Sequence, residues 1–168
     1  RDHGMSKDKK YWHEYIGFNY RMTNMQAAIG VAQMEVAPKF VKAKQDLAAE
    51  YNKNLSVIKN LQFPGNFGNV INSYWLYTVV LPEELSDYRD KILDIMLKDG
   101  VEARPIFFPM SEMPPYQQYI DKGKEYSNSK YLSKSSISLP SGVNLTKHDI
   151  LRASNAFIKA IDQARVLS

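Results

Sequence analysis

The segment from Gly17 to Gln33 constrains the fold more than any other part of this sequence. It opens as an irregular turn that carries one amide and one guanidinium, on Asn19 and Arg21. Thr23, followed three residues later by Gln26, has the pattern of a capping box and predicts the start of a helix. Small residues then follow on that helix, namely Ala27, Ala28, Gly30 and Ala32. The segment therefore predicts polar groups at a helix entrance and a helix that another element can approach closely.

Beyond this segment, Pro38 suits the first turn of a second helix, which apolar residues at helical spacing carry to about Leu55. Gly, Asn and Pro are enriched between Phe63 and Asn72, a composition typical of a loop. We place the only domain boundary in this loop. The predicted organisation is an N-terminal region of residues 1–62 and a C-terminal domain of residues 63–168.

The C-terminal domain alternates between strand and helix patterns. Strands are predicted at residues 74–81, 101–107 and 137–139, and helices from Ser86 to Gly100, at residues 126–132 and from the Thr146–Asp149 cap onward. This alternation predicts a small sheet covered by helices, an α/β (α+β) fold. The polar and aromatic start, residues 1–15, has no clear period and is predicted to be a loop.

Composition excludes several classes of site. The 168 residues contain no cysteine, so disulfides and thiolate metal sites are impossible, and the composition fits a reducing compartment. The net charge of +4 is spread along the chain, which favours a solvated surface over a nucleic-acid stripe. No apolar run is long enough to cross a membrane, and a lone His13 beside Glu14 predicts no metal site. Because the sequence opens at Arg1 rather than Met, we expect it to be part of a longer protein.

Asn19 and Arg21 stand just before a predicted helix start, and such a position suits a phosphate. Unpaired N–H groups and the positive end of the helix dipole favour an anion there, and a guanidinium can add a bidentate contact. On spacing alone, an asparagine turn with a surface salt bridge is the more common explanation of an Asn-x-Arg pair.

The run Gly-Phe-Asn-Tyr-Arg-Met-Thr-Asn-x-Gln-Ala-Ala-x-Gly-x-x-Gln resembles the signature of the DegT/DnrJ/EryC1/StrS family, the nucleotide-sugar aminotransferases that use pyridoxal 5′-phosphate (PLP). Further segments resemble the same family in the same order, namely residues 1–4, 11–13, 74–77, 104–110 with 113–116, and 138–142 with 145–146. The resemblance therefore covers essentially the whole chain. The aromatic loop at residues 104–116 is most similar to that of the perosamine synthetases.

The resemblance implies the C-terminal part of a fold-type I enzyme: the small C-terminal domain, preceded by long helices from the end of the large domain. The implied reaction transfers an amino group from glutamate to a nucleotide-linked 4-keto-6-deoxy sugar, with PLP as cofactor. The implied assembly is a cytoplasmic homodimer with active sites at the subunit interface and a role in lipopolysaccharide O-antigen biosynthesis, without nucleic-acid or membrane partners. The Schiff-base lysine lies before this region in the family, so no catalytic residue is expected in this chain.

The site residues implied by the resemblance fall in two groups. Asn19 is expected to bind the PLP phosphate of the partner subunit, and Arg21 to bind substrate phosphate or sugar across the same interface. Phe107, Phe108 and Tyr116 are expected to wall the sugar pocket. One position departs from many relatives, which carry histidine where this chain has Ser111. A serine does not titrate near neutral pH, so any proton transfer by that histidine is lost.

Two alternatives remain open at this point. Some members of the family carry histidine instead of the Schiff-base lysine and dehydrate the sugar at C3, and the residue that decides between them is not in this sequence. The other alternative is a non-catalytic module that dimerises or binds a partner.

Overall fold

The computed structural model of the chain describes residues 3–65, 68–121 and 123–167. The chain divides into two compact units, Arg1–Lys39 and Phe40–Ser168. This division falls within a helix, whereas the domain boundary predicted from composition lies further along the chain. The assignment of residues 1–62 to the end of a large domain stays a prediction.

Two of the predicted features lie partly outside the described residues. Arg1 and Asp2, which open the first segment of the family resemblance, are not described, and neither are Asn66 and Phe67 in the predicted loop. The rest of the N-terminal stretch is a loop, as expected. It closes through backbone hydrogen bonds, from the Ser6 N–H to the Trp12 oxygen at 2.7 Å and from the Glu14 N–H to the Gly4 oxygen at 3.0 Å.

Helix α1, Asn24–Leu55, is a single helix of 32 residues with Pro38 inside it. The prediction of two helices, the second beginning near Pro38, is therefore wrong. A proline inside a helix removes one N–H donor and typically costs about 3 kcal/mol. The remaining hydrogen bonds of a long helix offset that cost, together with the burial of Leu47, Tyr51 and Leu55 in its last turns.

The second unit contains a three-stranded antiparallel sheet in the order β1-β3-β2. Its strands are β1 Tyr77–Val80, β2 Arg104–Pro105 and β3 Ser136–Leu139. Two of them are shorter than predicted. The first predicted strand, residues 74–81, begins late because Tyr74 has a left-handed backbone, with φ of +47°. The second, residues 101–107, is limited to an edge pair because Pro105 has no N–H to donate.

Helices cover this sheet. A 3-10 turn at Glu83–Tyr88 leads into α2, Arg89–Lys98, so the α-helix begins later than predicted. The other helices are α3, Ser127–Ser135, and α4, Lys147–Leu167. The predicted cap of α4 is confirmed, since the Asp149 carboxylate accepts from the Thr146 N–H at 2.9 Å and the Asp149 N–H donates to the Thr146 hydroxyl at 3.2 Å.

The core of the second unit lies between the sheet and these helices. Its fully buried large side chains include Tyr51 of α1, Tyr77 of β1, Met96 of α2, Ile137 of β3 and Phe157 of α4. The predicted small sheet covered by helices is thus confirmed. Across the part of the chain that the structure describes, no helix combines the length and apolar character needed to cross a membrane.

Candidate functional site

Two glycines let the N-terminal loop close on itself just before the candidate turn. An added Cβ at Gly4 would lie 2.1 Å from the Tyr15 backbone oxygen, and one at Gly17 would lie 2.4 Å from the Gly4 nitrogen. Gly4 also has φ of +78°, a conformation that residues with a side chain rarely adopt. The direction in which the chain leaves Gly17 is therefore fixed by backbone contact.

The Asn19 side chain shapes the turn that follows. Its Oδ1 accepts a hydrogen bond from the Arg21 N–H at 3.0 Å, the geometry of an asparagine turn. No residue of the described ranges accepts from its Nδ2, so two amide donors remain available to a ligand. The predicted capping box is confirmed beside it, because Gln26 Oε1 accepts from the Thr23 N–H at 2.9 Å and the Gln26 N–H donates to the Thr23 hydroxyl at 3.3 Å.

Arg21 completes a turn that can receive an anion. Its exposed side chain forms no ion pair with any described residue, and the first turn of α1 holds no acidic side chain. The flanking rings of Phe18 and Tyr20 stack at 5.8 Å, and Phe18 to Arg21 line a shallow depression of about 490 Å³. Two amide protons, a guanidinium and a helix entrance are donors that suit an anion such as a phosphate group.

The start of α1 presents apolar side chains to solvent. Met25, Ile29 and Met34 are each more than 60% exposed. An added Cβ at Gly30 would meet nothing within 4 Å. At Gly30, therefore, no described residue makes the close approach that the small residues predict.

The predicted substrate loop follows β2 in the second unit. After Phe107 and Phe108, it forms two 3-10 turns, Met110–Glu112 and Pro114–Tyr119. Gln117 Nε2 ties them together by donating to the backbone oxygens of Ser111 at 2.9 Å and Met113 at 3.3 Å. The Ser111 hydroxyl is buried and has no hydrogen-bond partner.

Phe107 and Phe108 lie before the first of these turns and Tyr116 lies in the second, and all three rings are accessible to solvent. Asn19 and Arg21 are brought together in the turn of the first unit. These two groups of predicted site residues belong to different compact units.

A cleft of about 420 Å³ opens beside β2, also within the second unit. Lys44 of α1, Trp75, Glu102, Arg104 of β2 and Ser141 contribute to its lining. The Lys44 ammonium donates to the Trp75 backbone oxygen at 2.8 Å and also to that of Ser141. Partial burial lowers the pKa of this ammonium. Lys44, Trp75 and Arg104 are not among the site residues predicted from the sequence, because they meet at one cleft only through contacts between distant parts of the chain.

Histidines form no metal centre in this arrangement. His13 Nδ1 lies 2.9 Å from the backbone oxygen of His3. In residues 3–65, 68–121 and 123–167, no group of three or more His, Asp or Glu side chains is placed to hold a metal ion.

Comparison with known proteins places these features in one family. The model of the DegT/DnrJ/EryC1/StrS aminotransferase family matches residues 1–157. The chain is 35% identical over 167 residues to the GDP-perosamine synthase of Caulobacter vibrioides, covering 99% of this chain and 43% of that protein. It is 34% identical over 155 residues to the GDP-perosamine synthase of Vibrio cholerae, covering 92% and 42%.

Solved structures show the same fold. An aminotransferase of Helicobacter pylori involved in the biosynthesis of pseudoaminic acid superposes with a TM-score of 0.81 at 22% identity. This match covers 97% of the present chain and 44% of that structure. The chain thus spans less than half the length of each of these three proteins, and the predicted aminotransferase fold is confirmed for that part.

Proposed function

Because the chain belongs to the DegT/DnrJ/EryC1/StrS aminotransferase family, we propose that it forms part of a PLP-dependent nucleotide-sugar aminotransferase. The proposed reaction moves an amino group from glutamate to the C4 ketone of a nucleotide-linked 4-keto-6-deoxy sugar. The single observation that carries this proposal is the family match over residues 1–157, and the identity to two GDP-perosamine synthases supports the sugar class. The term "complete enzyme" is used for the polypeptide that contains both this chain and the proposed large domain.

The turn of the first unit suits the phosphate of PLP. Asn19 Nδ2 would donate to that phosphate in the partner subunit, while its Oδ1 stays bound to the Arg21 N–H and fixes the side chain. Arg21 would bind the phosphate or sugar of the substrate across the same interface. PLP, when bound, supplies the carbonyl chemistry that carries the amino group between the two substrates.

The loop after β2 would form the wall of the sugar pocket. Phe107, Phe108 and Tyr116 offer rings that exclude water from the reacting carbon, and Tyr116 adds a hydroxyl that can hydrogen-bond the sugar. Ser111 would take no part in proton transfer, because its hydroxyl does not titrate in the physiological range and lies buried within the loop.

The lysine that moves protons in this reaction would come from the large domain. Among the lysines that the structure describes, Lys44 is the one whose pKa burial lowers. Its ammonium donates to the backbone oxygens of Trp75 and Ser141, so two of its three N–H bonds hold these two segments of the chain together. Lys44 is therefore suited to a structural role rather than to covalent chemistry.

The same proposal includes a cytoplasmic homodimer and a place in O-antigen biosynthesis. The exposed apolar side chains at the start of α1 support an interface beside Asn19, since a patch of this kind is typical of surfaces covered in an assembly.

An amination assay tests the function. The complete enzyme is purified with PLP, supplied with glutamate, and offered GDP-, UDP- and dTDP-linked 4-keto-6-deoxy sugars, with products analysed by mass spectrometry. Formation of a 4-amino sugar supports the proposal. Loss of the C3 hydroxyl without amination would indicate the related dehydratase, and no conversion of any sugar would favour a non-catalytic module.

A further inference from the structure

Two large aromatic rings stack on each other while both face solvent. The rings of Trp75 and Phe107 lie 6.3 Å apart, with 18° between their planes. Trp75 is 70% exposed and Phe107 is 65% exposed. Aromatic rings contribute most to stability when they are buried, so a stacked pair left open to water suggests a surface that a ligand covers.

The backbone on either side holds Trp75 in this exposed position. Tyr74, just before it, is buried and has φ of +47°, a strained conformation for a residue with a side chain. The Asn72 side chain stabilises that conformation by accepting from the Tyr74 N–H at 2.8 Å. Lys44 then fixes the carbonyl of Trp75 itself. The exposure of Trp75 is therefore built into the fold.

A cation faces the cleft that Trp75 lines. Arg104 lies on β2 opposite Ser138 of β3, on the same face of the sheet as Thr78, whose hydroxyl is 2.8 Å from that of Ser138. Arg104 donates through Nε and Nη2 to Glu102 Oε1, at 3.2 and 3.0 Å. Its Nη1 has no partner among the described residues and can still bind an anion.

We propose that Trp75 and Phe107 form a platform for the sugar ring of the nucleotide-linked substrate, with Arg104 binding the adjoining phosphate. This proposal rests on the proposed function. The C–H face and the C6 methyl group of a 6-deoxy sugar are apolar and pack well on an aromatic face, while a guanidinium matches the oxygens of a phosphate. A cleft of about 420 Å³ is within the size range of small-molecule sites. Lys44 is the positioning residue of the platform.

Kinetics of variants of the complete enzyme test the platform. In Trp75→Leu, KM for the nucleotide-linked sugar rises about fivefold to tenfold, the range expected for one lost aromatic contact. The glutamate half-reaction, followed by absorbance, keeps its rate. Trp75→Phe restores most of the lost affinity, and Phe107→Leu repeats the effect. The matched control is Tyr131→Leu, which removes a partly exposed aromatic ring of α3 in the same unit and leaves KM unchanged.

Calorimetry separates the sugar from the phosphate. The probe is the nucleoside diphosphate of the best substrate, which lacks the sugar. Trp75→Leu binds this probe as tightly as the unaltered enzyme does, whereas Arg104→Gln binds it more weakly. Lys44→Met behaves as Trp75→Leu, while Lys42→Met, which removes an exposed lysine of the same helix, has no effect.

The outcomes distinguish failure of the platform from failure of the function. If the unaltered enzyme aminates no nucleotide-linked sugar, the proposed function fails. If it aminates one and Trp75→Leu keeps a normal KM, the platform is wrong while the function stands. A third outcome is that Trp75→Leu loses affinity equally for the sugar substrate and for the nucleoside diphosphate. That result also overturns the platform, because it indicates general damage to the cleft.

Discussion

The two halves of helix α1 differ in what they do with their apolar side chains. In the second half, Leu47, Tyr51 and Leu55 are buried against the sheet and helices of the second unit. In the first half, Met25 and Ile29 face solvent. The difference teaches that one continuous helix can stabilise a domain with one half and leave its apolar side chains open to solvent in the other. Asn19 and Arg21 stand at the entrance of the exposed half.

Among substitutions in the two halves of α1, replacing a buried ring should lower the free energy of unfolding most. Tyr51 is fully buried, stacks on Tyr77 with ring centroids 4.7 Å apart, and donates to the Pro140 oxygen at 2.9 Å. We expect Tyr51→Ala to lower the free energy of unfolding by about 4 kcal/mol, measured by urea unfolding of the chain. Ile29→Ala, in the exposed half, should change it by less than about 0.5 kcal/mol. Equal losses in the two variants would contradict the division of the helix.

Alkaline pH should lower the free energy of unfolding through the tyrosines packed at the buried half of α1. Burial raises the pKa of the Tyr51 phenol above its usual 10.0, and burial followed by the neighbouring Tyr51 and Tyr74 raises that of Tyr77. Both phenols stay neutral in the folded chain at pH values where the unfolded chain ionises. The free energy of unfolding should therefore be unaffected below pH 10 and fall above it, by about 1.4 kcal/mol per pH unit for each tyrosine.

Urea unfolding between pH 9 and 11 measures this slope. Tyr51→Phe should reduce the slope, and Tyr20→Phe, which alters an exposed phenol, should not. If the unaltered chain, Tyr51→Phe and Tyr20→Phe all gave the same slope, the slope would not arise from the buried pair Tyr51 and Tyr77.

Helix caps provide the smallest predicted effect. Thr146 caps α4, whose residues Ile150, Phe157 and Ile161 are in the core, so Thr146→Ala should lower the free energy of unfolding by about 1 kcal/mol. Thr23 makes an equivalent cap at the exposed half of α1. Thr23→Ala should reduce amide protection in the first turns of that helix, measured by hydrogen exchange, without changing global stability. A global loss from Thr23→Ala would show that the first half of α1 is part of the core.

The sequence predicts those parts of the fold that depend on short-range chemistry. The caps at Thr23 and Thr146 are read correctly because the pattern and the hydrogen bonds it forms lie within one helical turn. Pro38 is misjudged because a local preference for the first helical turn is overridden by the burial of residues far along the same helix. The ends of β1 and β2 are missed because they depend on the backbone of Tyr74 and on the missing donor of Pro105.

The residues of the candidate site also fall into two groups, those that the sequence identifies and those that only the structure reveals. Asn19, Arg21, Phe107, Phe108 and Tyr116 are selected through the family resemblance, since spacing alone does not distinguish an Asn-x-Arg pair from a surface turn. The bonds of Lys44 to Trp75 and to Ser141 span 31 and 97 residues, and no local pattern predicts them. Contacts of that range become visible only once the chain is folded.

The most direct test of the account is the affinity of the complete enzyme for PLP in the Asn19→Ala variant. Loss of a hydrogen bond to a charged phosphate typically costs about 1.5–3 kcal/mol, so we predict PLP binding weaker by roughly tenfold to a hundredfold, measured by equilibrium dialysis with absorbance detection. Asn24→Ala, which alters an exposed asparagine five residues further on, should retain normal affinity. Unchanged PLP affinity in Asn19→Ala would contradict the claim that this turn holds the phosphate of the cofactor.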